Sequence, residues 1–227
     1  MPKLVKVALD IPINGLFDYS CDYIGVKIGS RVSIPFGKSL RLGVIIDIKE
    51  FKDKPTAYKL KKINKLIDEI PILSKEVLKT CEWAASYYHH PIGQVVFSAL
   101  SPLHRKEKKI PKKKFEIEHK KIQHDLILNI EQNKIYENLI KHSETFSVNV
   151  IRGVTGSGKT ELYAKLAQNN LEKDTQVLVM VPEINLIPQT MERFRRYLDI
   201  EPIQYHSNLT ATQKYKVWEA SSRESKT

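Results

Sequence analysis

The sequence predicts an α/β chain in which a small β-rich N-terminal domain precedes a parallel sheet covered by helices. Short β-rich runs broken by glycines fill residues 4–49, whereas apolar strands alternate with helical segments from residue 126 onward. A charge-dense stretch with no apolar period, residues 101–125, lies between these regions and is typical of a linker. We therefore expect one domain over residues 1–100 and a second over residues 126–227.

The N-terminal domain is predicted to contain three strands and one helix. The strands fall at residues 4–9, 31–34 and 44–48, with glycines at the turns. The helix begins after Ser74 and ends before Pro91. Its apolar face is expected to consist of residues spaced i, i+4, i+7 and i+11, namely Val77, Cys81, Ala84 and Tyr88.

The C-terminal domain is predicted to alternate between helices and strands. Its strands fall at residues 147–151 and 176–181, and the second is almost continuously apolar, as in parallel sheets that are covered on both faces. Its helices are predicted at residues 131–141, 160–171, 188–198 and 210–220.

The net charge of +11 is concentrated outside the C-terminal domain. Residues 101–125 alone hold nine Lys and Arg against four Asp and Glu. Such an excess favours polyanions through counterion release, although a merely solvated basic surface explains it equally well. The two cysteines, Cys21 and Cys81, are too few and too far apart for a disulfide framework or a cysteine zinc knuckle. With no transmembrane run and no signal peptide, we expect a cytoplasmic chain.

A phosphate-binding loop follows the strand predicted at 147–151. Its residues fit G-x-x-x-x-G-K-[ST] in full, and a helix follows: Gly153, Val154, Thr155, Gly156, Ser157, Gly158, Lys159 and Thr160. Glycines let successive backbone N–H groups point at phosphate oxygens. Lys159 is expected to reach the β- and γ-phosphates, and the Thr160 hydroxyl to ligate Mg²⁺. The sequence therefore predicts a nucleoside triphosphate site.

Both halves of the chain resemble the PriA family of bacterial replication-restart helicases, also called primosomal protein N′. In the C-terminal half the resemblance lies in the loop, in residues 181–190, and in His206-Ser207 followed by Leu209. In the N-terminal half it lies in residues 17–19, 34–38 and 83–93, the last being long and unusual in composition. Only residues 101–125 lie outside it.

The resemblance implies a superfamily-2 DNA helicase with a RecA-like lobe that uses ATP and Mg²⁺ and translocates 3′ to 5′ on single strands. It further implies binding to forks, 3′ ends and single-stranded DNA, with other primosome proteins and single-strand-binding protein as partners. The family holds the 3′ end of the nascent strand in an N-terminal pocket, to which Phe17, Asp18 and Gly37 correspond by motif, and Lys61 less securely. A terminal base can stack on an aromatic ring, and a carboxylate can accept a hydroxyl proton. Phe17 and Tyr19 also suit an ordinary strand core.

Three further residues are assigned by the resemblance. Gln132 corresponds to the family's glutamine that reads the adenine edge, although a solvated residue at a helix start is the alternative. Glu183 and Gln189 fall where the family's lobe lines the DNA track. For Glu183 a cap at the end of a strand is the alternative.

The sequence departs from the family in two ways. The family places a winged-helix domain before the helicase core, and 25 residues are too few for one. No acidic helicase motif follows the loop, since the only Asp-Glu pair is Asp68-Glu69, and no second lobe, arginine finger or paired zinc cysteines are present. We expect an N-terminal fragment without helicase or significant ATPase activity of its own, with zinc bound only in the missing part. The alternatives are a non-motor module that binds forks or 3′ ends, and another P-loop class such as a nucleotide kinase.

Overall fold

A computed structural model describes the chain in two compact units. The first comprises residues up to 113 together with 210–215, and the second comprises the remainder. The residues that the structure describes are 3–50, 60–107, 126–141, 143–173, 175–198 and 200–222. Most of the predicted linker, residues 108–125, lies outside them, and so does most of the charge excess that is expected to favour polyanions.

The first unit is built on a five-stranded antiparallel sheet. Its spatial order is β2-β1-β4-β3-β5, and the three strands expected from the sequence are confirmed. The short strands β2 and β5 were not predicted. The strand bounds are β1 Lys3–Leu9, β2 Phe17–Cys21, β3 Arg31–Phe36, β4 Ser39–Glu50 and β5 Lys65–Leu66.

The segment 61–66 links the two sides of this sheet. The Ser20 amide of β2 donates to the Lys61 carbonyl, and the Ile63 amide donates back to the Ser20 carbonyl, each at 3.0 Å. Further along the same segment, β5 pairs with β3. The sheet is thereby closed into a small barrel, which is how β proteins cover otherwise exposed edges.

The core of the first unit fills this barrel with aliphatic side chains. Burial alternates along β2, whereas residues 31–34 of β3 and 43–46 of β4 are buried at every position. Cys21 and Cys81 are buried free thiols, in keeping with the absence of a predicted disulfide. The fully buried core residues include Val5, Val7, Leu9, Val32, Ile34 and Ile45.

A buried arginine ties the end of this unit to its sheet. The Arg31 guanidinium donates to both carboxylate oxygens of Asp68, at 2.7 and 2.8 Å, and to the carbonyls of His104 and Lys106, at 2.8 and 3.0 Å. Residues 101–107, which the sequence assigned to the linker, therefore pack on the N-terminal unit. Residues 101–107 differ from the prediction because the buried Arg31 guanidinium needs hydrogen-bond acceptors, and two of their carbonyl groups supply them.

Helices α1 (Lys75–Tyr87) and α2 (Ile92–Ser98) complete the first unit. Ser74 caps α1 by accepting from the Val77 amide, so the predicted start and end are confirmed. The predicted apolar face is correct at Cys81 and in part at Ala84, which is half-buried, but it is wrong at Val77 and Tyr88. Leu78 is buried beside Cys81, whereas Val77 and Tyr88 are exposed, because the helix is rotated by about one residue relative to the predicted stripe.

The second unit is helical in its described part. All four predicted helices are confirmed within two residues, and a short 3₁₀ turn, Ile184–Leu186, precedes the third. None of the described helices is long and apolar enough to cross a membrane. The helices are α3 Ile130–Ile140, α4 Lys159–Glu172, α5 Ile187–Leu198 and α6 Ala211–Ser222, of which residues 211–215 are grouped with the first unit.

The two strands predicted in this unit are not strands in the structure. Residues 147–151 and 176–181 have no ladder partner among the described residues, and their apolar side chains are largely exposed, with Leu178 and Met180 each 84% exposed. An apolar run becomes a strand only when neighbouring strands satisfy its backbone groups. The composition was typical of a strand, but the partners that would complete it are absent from the described part.

Candidate phosphate-binding and DNA-binding sites

The glycine loop adopts a tightly wrapped backbone between residue 153 and the start of α4. Gly156 and Gly158 have φ of 82° and 80°, in the left-handed region that glycine tolerates best. A Cβ on Gly153 would lie 2.5 Å from Ser157 Oγ, so a larger residue there would force that hydroxyl to rotate away. Residues 153–157, which include Val154 and Thr155, are exposed.

Lys159 and Thr160 lie where this loop enters α4. Lys159 Nζ folds over the loop and donates to the carbonyls of Gly153 and Val154, at 2.6 and 2.9 Å. The backbone N–H groups of the first turn of α4 add the positive end of the helix dipole. A glycine cradle, an ammonium at its mouth and an adjacent hydroxyl are the donor set that a nucleotide phosphate with Mg²⁺ requires. The residues present therefore fit that group.

Gln132 lies against the same loop, 26 residues away in sequence. Its Oε1 accepts from the Asn129 amide at 2.9 Å and completes a capping box at the start of α3. Its Nε2 donates to the Gly158 carbonyl at 3.2 Å, and a Cβ on Gly158 would collide with it. The side chain is thus a capping residue that braces the loop rather than a solvated one. Its adenine contact stays a prediction and would require one of these bonds to be exchanged.

Helix α5 places two side chains on the first turn of α4. Arg193 Nη1 donates to Thr160 Oγ1 at 3.2 Å, and the Tyr197 hydroxyl donates to Glu161 Oε1 at 2.7 Å. The Tyr197 bond lowers the pKa of Glu161, and the same bond raises the pKa of Tyr197. Sequence reasoning missed both residues. Their i, i+4 spacing was visible, but which helix they face depends on packing.

The predicted DNA-track residues lie at the start of this helix. Glu183 is exposed, and its carbonyl accepts from the Leu186 amide at 3.1 Å in the 3₁₀ turn. Glu183 occupies the N-cap position of that turn, but its side chain forms no cap bond. Gln189 is exposed in the first turn of α5. Their DNA contacts stay predictions.

The structure brings Phe17 close to the turn that contains Gly37. Phe17 begins β2 and meets the Phe36 ring edge to face, with centroids 5.3 Å apart. Gly37 follows directly, with φ of 61°, in the turn between β3 and β4. Phe17 is only partly buried, whereas Tyr19 is a core residue whose hydroxyl donates to the Pro35 carbonyl at 3.1 Å. The core alternative is therefore confirmed for Tyr19.

Asp18 and Lys61 lie on the outer side of β2. Asp18 pairs with Lys6 at 3.1 Å, and both side chains are about one-third exposed. Neighbouring residues of a strand face opposite sides, so Asp18 and Phe17 do not share one face. Lys61 is exposed, and its carbonyl accepts from Ser20 of β2. The four residues of the predicted pocket thus lie on β2 and its neighbours, and the pocket itself stays a prediction.

Metal-ligating groups are sparse in the described part of the chain. Within it, no three His, Cys, Asp or Glu side chains cluster closely enough to hold a metal ion. Asp68 of the only Asp-Glu pair is committed to Arg31 in the first unit.

Two domain families match this chain, one on each side of the predicted linker. Residues 6–101 match the PriA 3′DNA-binding domain (3′BD). Residues 116–226 match the family described as type III restriction enzyme, res subunit, which is a helicase-type domain. The predicted combination of a β-rich DNA-binding domain and a helicase-type α/β region is thereby confirmed.

Curated relatives cover almost the whole chain. The Replication restart protein PriA of Haemophilus influenzae is 32% identical over 96% of this chain and 40% of its own length. Those of Rickettsia felis and Borreliella burgdorferi are each 34% identical, over 93% and 94% of this chain and 31% and 32% of their own lengths. The chain spans about a third of the length of these relatives.

The lengths of these alignments bear on the short connection between the two halves. The alignment with H. influenzae runs over 292 residues, more than the 227 of this chain, so that relative has extra residues inside the matched region. The alignments with R. felis and B. burgdorferi run over 211 and 221 residues and need no such insertion. The short connection is therefore shared with some relatives. With both halves and nearly its full length matched, the chain belongs to the family of PriA replication restart proteins.

Proposed function

We propose that this chain binds DNA at 3′ ends and forks through its N-terminal unit and binds ATP with Mg²⁺ at the glycine loop. In the whole protein these two activities serve an ATP-dependent 3′-to-5′ helicase that restarts replication and promotes primosome assembly. The observation that carries the proposal is the match of residues 6–101 to a 3′DNA-binding domain, joined in one chain to a complete P-loop motif.

The DNA end is bound by stacking and by one carboxylate. The partly exposed edge of Phe17, next to the Gly37 turn, offers an aromatic surface to the terminal base. Asp18 accepts the proton of a free 3′-hydroxyl and repels a terminal phosphate. Lys61, exposed beside β2, meets a backbone phosphate.

The nucleotide is held by the loop and by the start of α4. Loop N–H groups and Lys159 hold the phosphates, and the Thr160 hydroxyl supplies one ligand to the metal. When bound, Mg²⁺ supplies charge neutralisation on the phosphates. Hydrolysis also requires an acidic group beside the metal, and no Asp-Glu pair follows the loop in this sequence. In this chain ATP is therefore bound without significant turnover.

The expected lack of ATP turnover also favours the second candidate function, a non-motor module for forks and 3′ ends. In that case nucleotide binding at the P-loop would only stabilise the second unit. Under either function the partners are DNA, other primosome proteins and single-strand-binding protein in the bacterial cytoplasm.

The proposal is tested by fluorescence anisotropy on two forks that differ only at the nascent 3′ end. We expect the full chain to bind the 3′-hydroxyl fork at least about tenfold more tightly than the 3′-phosphate fork, as the gain or loss of one charged hydrogen bond implies. A blunt duplex of equal length is the control for charge-driven binding. Equal affinity for the two forks would remove the 3′-end assignment.

A further inference from the structure

A pair of side chains on α5 is bonded to consecutive residues of the P-loop helix. Arg193 donates to Thr160, and Tyr197, one turn later, donates to Glu161. Below them Phe194 and Leu198 pack on Ala164 of α4 in a small buried core. The two helices are thus held by an apolar layer, and the polar pair lies beside it, at the edge facing the loop.

Thr160 is the residue whose hydroxyl the loop motif reserves for Mg²⁺. A magnesium ligand oxygen lies about 2.1 Å from the ion, which accepts only near-ideal octahedral geometry. The Arg193 guanidinium is permanently charged and donates to that same oxygen at 3.2 Å. A second cation at this oxygen disfavours the metal, because like charges repel at such separations and the guanidinium occupies space around the oxygen that the ion needs.

We propose that Arg193 competes with Mg²⁺ for the Thr160 hydroxyl and releases it when the metal-bound nucleotide enters the loop. This inference rests on the proposed nucleotide site and adds a regulatory residue to it. Arg193 is a positioning residue, since it acts on the site through Thr160.

A second acceptor for the released guanidinium is already in place. Glu161 follows Thr160, and its pKa is lowered first by the Tyr197 hydroxyl and further by the charge of Arg193. Arg193 can therefore move from the Thr160 hydroxyl toward the Glu161 carboxylate while the apolar layer between α4 and α5 stays in place. The exchange needs only a side-chain rotation, which is fast and local.

The test compares nucleotide affinity with and without metal in the full chain. A fluorescent ATP analogue is titrated in Mg²⁺ and in EDTA, and the readout is the ratio of the two dissociation constants. We expect Arg193→Gln to increase the affinity gained from Mg²⁺ by about three- to tenfold, the range of one ordinary exposed hydrogen bond. The substitution also removes a positive charge near the phosphates. Because this loss affects binding both in Mg²⁺ and in EDTA, it cancels in the ratio of the two dissociation constants.

Arg195→Gln is the matched control, because it removes the same charge from α5 at a residue whose guanidinium pairs with Glu201 and not with Thr160. It should leave the Mg²⁺ ratio unchanged, and circular dichroism checks that both variants keep their helices. An unchanged or smaller ratio in Arg193→Gln overturns the inference. If the unmodified chain binds no nucleotide in either condition, the proposed nucleotide site itself is wrong.

Discussion

Each of the two units of this chain is stabilised internally in a different way. In the first unit a closed antiparallel sheet surrounds eleven buried core residues, and a bidentate ion pair joins strands far apart in sequence. In the second unit the buried cluster between α4 and α5 has four members, while long apolar segments remain exposed. The first unit thus contains the partners that its elements need, and the second has helices whose partners are only partly present among the described residues.

This difference separates two kinds of sequence information. A helix satisfies its backbone within its own segment, so capping and periodicity suffice to locate it. A strand depends on hydrogen-bonding neighbours elsewhere in the chain, so an apolar run alone does not determine whether a segment becomes a strand. Substitutions at three places test this difference between the two units, and they follow from the largest expected effect to the smallest.

The largest effect is expected at the Arg31–Asp68 pair of the first unit. Asp68→Ala leaves the guanidinium, whose side chain is 3% exposed, buried without its carboxylate. We expect the first unit to lose about 3–5 kcal/mol, because an uncompensated buried charge is costly. Peptide-resolved hydrogen exchange over residues 31–48 would measure it as faster exchange of the whole sheet.

The exposed Lys62–Asp22 pair is the matched control for that substitution. Its side chains are 74% and 56% exposed, and its 2.8 Å distance is similar. Asp22→Ala should cost less than about 1 kcal/mol. Comparable losses in the two variants would contradict the view that the buried pair closes the first unit.

A smaller, pH-dependent effect is expected in the second unit from Tyr197→Phe. Because the Tyr197 bond lowers the folded-state pKa of Glu161, its contribution is fully present above the unfolded pKa, about 4.3, and is lost as the pH falls through the folded value. We expect a loss of about 1 kcal/mol near pH 7 that disappears at acidic pH. Urea unfolding followed by Trp218 in a Trp83→Phe background would detect it, and a loss that does not vary with pH would exclude this role of Glu161.

The smallest effect is expected where sequence reasoning placed a buried strand. Leu178→Lys with Met180→Lys should change stability by no more than about 0.5 kcal/mol, because both side chains are exposed. The same unfolding assay applies. A loss of several kcal/mol would show that residues 176–181 lie in a covered sheet in solution, as burying two lysines implies.

The candidate sites were predictable to the extent that they depend on contiguous residues. The P-loop and the following helix were recognised from eight consecutive positions, and the glycines carry the expected left-handed backbone. Gln132 was identified by resemblance, but its capping box and its bond to Gly158 depend on how α3 meets the loop. Arg193 gave no signal, because an arginine on an exposed helix face looks the same whether or not it reaches a metal ligand.

The N-terminal residues show the same limit. Tyr19 and Phe17 looked alike in sequence, yet Tyr19 is buried in the core while Phe17 stays partly exposed at the start of β2. The pairing of Arg31 with Asp68 joins residues 37 positions apart and depends on the register of β3 and β5. Such contacts follow from sheet closure, which no local pattern encodes.

The most direct test of the division into two binding units is to measure both ligands on two single variants. Asp18→Ala should abolish the preference for a 3′-hydroxyl fork over a 3′-phosphate fork while leaving binding of a fluorescent ATP analogue unchanged. Lys159→Ala should abolish nucleotide binding while leaving the 3′-end preference intact, with ATP turnover at background in every form of the chain. Loss of both properties in either variant, or DNA-stimulated turnover that depends on Lys159, would contradict the account.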